Sequence, residues 1–196
     1  MNGLLTEYRS LYYIRTSESC FLHGISLGYL MTTSMSDPSS DTEGVRSLLV
    51  LYATETGNAQ DAADYIARES RRISFQCRVA NVDSYSLVRR THSHTKNLLN
   101  LQLQTELISE NIVVFVVSTT GSGVEPRSMT PLWTNLLRSE LPPDTFEDLP
   151  YTVFGLGDTS YEKFCWAAKK LSRRLQSLGA TEFYERGEGD EQHPLG

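Results

Sequence analysis

The chain has 196 residues, 21% of them charged and 39% apolar, the balance of one ordinary globular domain with a short appendage. A net charge of -6 and a pI near 5.2 argue against general binding to nucleic acid or to anionic membranes. The three cysteines (Cys20, Cys77, Cys165) and four histidines are scattered, forming neither a disulfide framework nor a zinc motif, and no apolar run is long enough to span a membrane.

Cysteine usage of this kind points to a reducing compartment, and the expected location is the cytoplasm. Residues 1–46 read as a leader and linker. Cys20–Met31 is mildly apolar but lacks the basic flank of a signal peptide. Ser34–Ser47 is polar and rich in turn formers. Met31 and Met35 each offer a start close to the first strand, so the leader is expected to stem from an upstream start.

From Ser47 onward the pattern is regular. Ser47–Ala53 is a short apolar run with a branched residue, as in a strand buried on both faces. Asn58 is placed to cap the helix that follows, where Ala59, Ala62, Ala63, Ile66 and Ala67 recur at helical spacing. Phe75–Val82 alternates as a strand, and Asn111–Val117, "NIVVFVV", is the strongest strand in the chain. Pro131–Arg138 predicts a helix, Tyr151–Gly155 a buried strand and Tyr161–Leu178 an amphipathic helix closed by Gly179. Thr181–Tyr184 is the expected last strand. Strands alternating with helices imply an α/β fold with a parallel sheet and helices on both faces.

Ligands of such sheets sit beyond the carboxyl ends of the strands. Four loops of small, hydroxylic and glycine residues fall there: Thr54–Ala59, Ser118–Gly123, Gly155–Tyr161 and Gly187–His193. The first of them, "TETGNA", suits a phosphate but has no lysine or arginine. It is not a Walker loop, which needs Gly-Lys-Ser/Thr, and not a dinucleotide fingerprint, because Gly57 stands alone. A third design fits: hydroxyls of Thr54 and Thr56, Asn58 and backbone amides through Ala59 at a helix N-terminus, whose dipole supplies part of the positive charge. That design suits one terminal monophosphate. The alternative is a well-capped helix that binds nothing.

The stretches "LYATETGNAQDAA", "FVVSTTGSG", "PLWTNLLR", "VFGLGDTSYEKFCWAAKKLSRRL" and "GEGDEQHPLG" resemble the FMN-binding, flavodoxin-like domain of diflavin reductases. "STTG" in the second loop favours the NADPH-dependent branch of cytosolic iron–sulfur assembly over its relative cytochrome P450 reductase. The resemblance implies a doubly wound five-stranded parallel sheet of order 2-1-3-4-5 over residues 47–196. It also implies site roles. Thr54, Glu55, Thr56, Gly57, Asn58 and Ala59 would cradle the FMN phosphate. Ser118, Thr119, Thr120 and Gly121 would pass along the isoalloxazine. Leu156, Gly157, Asp158, Thr159, Ser160, Tyr161, Glu162, Lys163, Phe164 and Cys165 would wrap its other side, with Tyr161 stacked on the ring. Asp190 and Glu191 would lower the flavin potential by their charge. For Tyr161 the alternative is a core aromatic at a helix start, and for the acids a solvated loop.

Two residues depart from the family pattern: Val124 where an acid is common, and Cys165 where an asparagine is common. Val88–Gln104 reads as an insertion, since its removal restores the family spacing. Its ends fit the codons of a retained short intron; the rival origin is a genuine surface loop. The chain ends at Gly196, where relatives continue into an FAD- and NADPH-binding reductase unit, so that unit is expected in cis or in trans. The implied acceptor is an anamorsin-type iron–sulfur protein, with Glu125, Asp158, Glu162, Asp190 and Glu191 steering its docking. A free-standing flavodoxin and a flavin-free interaction module are the rival readings.

Overall fold

The computed structural model describes residues 13–14, 46–85 and 106–192. The leader, apart from Tyr13, Ile14 and Arg46, and the Val88–Gln104 insertion lie outside the described residues.

The elements in chain order are β1 (Tyr13–Ile14), β2 (Ser47–Ala53), α1 (Asn58–Arg72), β3 (Gln76–Asn81), β4 (Val113–Ser118), α2 (Thr130–Leu136), β5 (Pro150–Gly157), α3 (Trp166–Ser177), β6 (Thr181–Glu182) and β7 (Gly187–Asp190). The sheet runs β1-β7-β5-β4-β2-β3, with β6 also on β5. All pairings are parallel except β1 with β7, where Tyr13 faces Asp190 and Ile14 faces Gly189. Counting β2, β3, β4, β5 and β7 as one to five gives the doubly wound order 2-1-3-4-5.

Alternation along the buried strands explains the layers. Leu49, Leu51 and Ala53 of β2, with Val113, Phe115 and Val117 of β4, meet α2 and α3 on one face. Leu48 and Val50, with Val114 and Val116, meet α1 on the other. Phe115 is 1% exposed; burying a side chain of this size contributes about 1.5–3 kcal/mol. Two apolar faces per strand leave no room for polar alternation, which is why the runs are continuous in sequence.

Three elements differ from expectation, the first being β1, which falls in the expected leader yet pairs with β7. The helix expected from Tyr161 begins only at Trp166, because Cys165 adopts a left-handed conformation (φ 49°) and residues 159–165 fold as turns. Cys165 is fully buried over two glycines: a Cβ on Gly155 would stand 3.2 Å from the Cys165 Cβ, and one on Gly157 would stand 2.8 Å from its amide nitrogen. That close approach overrides the helical periodicity. The last strand is split, and Gly187–Asp190, expected as loop, is strand β7 on the distal half of β5. Phe183 and Tyr184 break it, since both pack on the same core cluster. Consecutive residues of one strand point to opposite faces and cannot do that.

The flanks of the insertion are held by the body of the domain. Tyr85 donates its hydroxyl to Glu110 (2.8 Å), whose carboxylate also accepts from Arg78 of β3, and Leu107 is wholly buried. Deleting Val88–Gln104 is therefore expected to leave thermal stability unchanged or raised, by about 1 kcal/mol of loop-closure entropy. A drop of several degrees in Tm on deletion would show that the segment belongs to the fold.

Candidate functional site

The loop after β2 turns sharply. Gly57 sits at φ 110° and donates its amide to Thr54 Oγ1 (2.9 Å), while its carbonyl accepts from Gln60 (2.8 Å) and Asp61 (3.1 Å). Gly57, not Asn58, is thus the cap residue of α1, and as a glycine it supplies no side-chain cap. The Thr54 hydroxyl is committed to its own loop, and Asn58 already has helical geometry. The positive φ explains why a glycine stands here. Space around it is open: a Cβ would meet nothing within 4 Å.

The loop after β4 closes on itself. Thr120 and Val124 exchange backbone hydrogen bonds of 2.9 and 3.0 Å, with Gly121 (φ 45°) and Gly123 (φ 92°) making the bend. Thr119 donates to the Leu156 carbonyl (2.8 Å) and Ser118 Oγ to the Ala53 carbonyl (3.3 Å), tying this loop to its neighbours. After β5, Asp158 Oδ1 accepts from the amide (2.7 Å) and hydroxyl (2.6 Å) of Ser160. These bonds hold its carboxyl below the ordinary carboxylate range. Tyr161 follows with 56% of its surface exposed, unusual for a large aromatic. After β7, the Glu191 amide donates to the Gly157 carbonyl (3.0 Å).

Between these loops lies a cleft of about 390 Å³ at the carboxyl edge of the sheet. The β2 loop contributes Glu55, Thr56 and Asn58; the β4 loop Ser118, Thr119, Thr120 and Gly121; the β5 loop Leu156, Gly157, Asp158, Tyr161 and Lys163; and the last loop Glu191. Its volume lies in the range of small-molecule sites.

The flavodoxin family model matches residues 50–195. The chain is a member of the flavodoxin family. Within that family it is 42% identical over 164 residues to NADPH-dependent diflavin oxidoreductase 1 of Mycosarcoma maydis, covering 84% of this chain and 22% of that protein. The protein of the same name from Arabidopsis thaliana is 43% identical over 154 residues, covering 79% of this chain and 22% of that one. The chain thus spans about a fifth of the length of the curated relatives it matches. Among solved structures, a Streptococcus pneumoniae flavodoxin superposes with a TM-score of 0.57 at 23% identity, covering 74% of this chain and 84% of that one. Flavodoxin 1 of Bacillus cereus gives 0.53 at 22%, covering 71% and 81%. These two likenesses concern the fold.

The other residues expected at the site of this flavodoxin domain do not line the cleft. Thr54 and Gly57 shape the first loop, and Ala59 is buried against β2 and β4 in the core. Thr159 and Ser160 are bound to Asp190 and Asp158. Glu162 is exposed, and Phe164 is half-buried under the Lys169 ammonium, 5.3 Å from its ring centre. Burial pushes the Cys165 thiol up to about 12, leaving a neutral packing group that no thiolate chemistry can use. Val124, which stands where an acid is common in the family resembled, is 54% exposed. Glu125 is paired with Lys170: burial raises its carboxyl pKa, but that partner and the residue's own amide outweigh it and hold the carboxyl below its usual value.

Sequence reasoning missed Arg127 and Ser128. Ser128 Oγ accepts from the Thr54 amide and donates to the Thr54 carbonyl, both at 3.1 Å. The Arg127 amide donates to Glu55 (3.0 Å), and its guanidinium pairs with the same carboxylate. The two residues latch the first loop from a distant part of the chain, and no local signal announces them. Among the described residues, Lys163 is the one cationic side chain lining the cleft. No helix among the described residues is long and apolar enough to cross a membrane.

Proposed function

We propose that the domain binds FMN in this cleft and serves as the electron-transfer module of an NADPH-dependent diflavin reductase. It would work between an FAD- and NADPH-binding reductase unit, in cis or in trans, and an anamorsin-type iron–sulfur protein in the cytoplasm. The observation that carries this reading is Tyr161, a large aromatic left 56% exposed at a cleft whose other lining residues, Leu156 apart, are polar, charged or glycine. Such a ring offers a face to a planar ligand and covers it from water.

The residues present fit FMN. The N-terminus of α1, whose cap residue is a glycine, with Thr56 and Asn58 at the cleft, offers donors to one phosphate. Gly57 leaves open space for the phosphate to approach. Thr120 and Gly121 of the β4 loop line the same cleft as Tyr161. FMN, when bound, supplies the one- and two-electron redox chemistry. The chain orients it, excludes water and sets its electrostatic surroundings, with Glu191 and Asp158 opposed by Lys163.

The test is the visible spectrum of the purified chain after incubation with FMN and removal of free cofactor. A retained flavin band is expected. That band should bleach on adding NADPH with a separately supplied reductase unit and return on adding an oxidised iron–sulfur acceptor. Colourless protein would overturn the FMN reading, and a band that no reductase unit bleaches would overturn the diflavin reading.

A further inference from the structure

We infer that Asp190 acts as a positioning residue: its carboxylate clamps the turn that carries Tyr161 to the end of β7, and Glu191 is the acid that reaches the cleft. This rests on the FMN reading for its functional consequence. The family resemblance implies that both acids act on the cofactor by their charge. The geometry separates them. Glu191 lines the cleft and Asp190 does not.

Both oxygens of Asp190 are spent on Thr159, 31 residues away. Oδ1 accepts from the Thr159 amide at 3.0 Å, and Oδ2 accepts from Thr159 Oγ1 at 2.7 Å. Oδ1 also accepts from the Gln192 amide at 3.1 Å, so the chain on either side of Glu191 is fixed by the same group. A second strut runs the same way, since Gln192 Nε2 donates to Asp158 Oδ2 at 3.2 Å. The turn itself closes when the Tyr161 amide donates to the Asp158 carbonyl at 3.1 Å.

A ring that is 56% exposed has few side-chain neighbours to fix it. Its place is inherited from the backbone beneath. That backbone is held by hydrogen bonds to an ionised acceptor, the stronger kind, and the acceptor sits on a strand paired in register with β5. Strand β7 thereby sets where the Tyr161 ring stands relative to the β4 loop.

The experiment uses the full chain and three variants, Asp190→Ala, Asp190→Asn and Thr159→Val, with the Asp190→Ala/Thr159→Val double variant. Amide hydrogen exchange, followed by mass spectrometry without cofactor, reads the clamp directly. Exchange in peptides covering residues 158–161 should rise about tenfold in Asp190→Ala, while peptides from β4 and α1 stay unchanged. FMN titration should then show an affinity loss of about tenfold for Asp190→Ala. Thr159→Val, which alters no charge, should show part of that loss. Asp190→Asn, which keeps an acceptor oxygen, should fall between Asp190→Ala and the unaltered chain. The double variant should be no worse than Asp190→Ala, the mark of two groups in one contact.

Unchanged exchange in Asp190→Ala would overturn the clamp. So would a Thr159→Val variant equal to the unaltered chain, together with an Asp190→Asn variant that shifts only the flavin potential, because that pattern belongs to a charge effect. If the unaltered chain retains no FMN, it is the FMN reading that fails, and the exchange data still decide the clamp.

Discussion

A single methyl group at position 157 is expected to destabilise the domain by about 1–3 kcal/mol, the usual cost of overpacking a closed site, and to abolish FMN retention. Gly157 ends β5 under the turns that lead to α3. A Cβ there would stand 2.8 Å from the Cys165 amide nitrogen and 3.1 Å from Cys165 Sγ and from the Phe164 ring. The nearest of these is backbone and cannot swing aside as a long side chain could. Gly157→Ala must therefore lift residues 161–165 off the sheet, carrying Tyr161 and Lys163 away from the cleft. The lift also strains the bond from the Glu191 amide to the Gly157 carbonyl. Gly121→Ala provides the contrast. It stands at φ 45° in open space, so it should cost only about 1 kcal/mol of backbone preference. Urea unfolding and FMN titration of the two variants check this. Equal, mild effects would mean that the 161–165 turns are not seated on β5 as described.

Truncating Tyr161 should give the opposite signature. Tyr161→Ala is expected to weaken FMN binding by about 10- to 100-fold, the size of one lost stacking platform, with no measurable change in Tm. The ring is 56% exposed, so little folding free energy depends on it. Tyr161→Phe keeps the face and should keep most of the affinity. Flavin fluorescence, quenched by a stacked phenol, should recover in Tyr161→Ala samples saturated with FMN. A lowered Tm with unaltered affinity would make Tyr161 the core aromatic that sequence spacing alone also allows. The pair of variants thus separates a residue that shapes the site from one that covers the ligand.

Much of this domain was legible before any coordinates. The β2 strand, Ser47–Ala53, was read to the residue, the parallel α/β sheet followed from apolar runs alternating with helical periodicity, and the order 2-1-3-4-5 was implied by the family resemblance. These signals are local, because a strand buried on both faces must be apolar at every position and an amphipathic helix must repeat every 3.6 residues. The gathering of four loops at one sheet edge also follows from topology, since parallel strands all send their carboxyl ends the same way.

What tertiary structure alone decided are contacts between residues far apart in the chain. Ser128 latches Thr54 across 74 positions, and Asp190 holds Thr159 across 31. Cys165 abandons helical geometry because Gly155 and Gly157 let it approach the sheet. Phe183 and Tyr184 split the last strand by sharing one core face. Each choice sets a local preference of about 1 kcal/mol against packing worth more. The sequence by itself determined which elements form and where their loops gather. Only the fold decided which of two neighbouring acids reaches the cleft and which holds its wall, because that depends on the register of β7 against β5, and register is settled by the whole sheet.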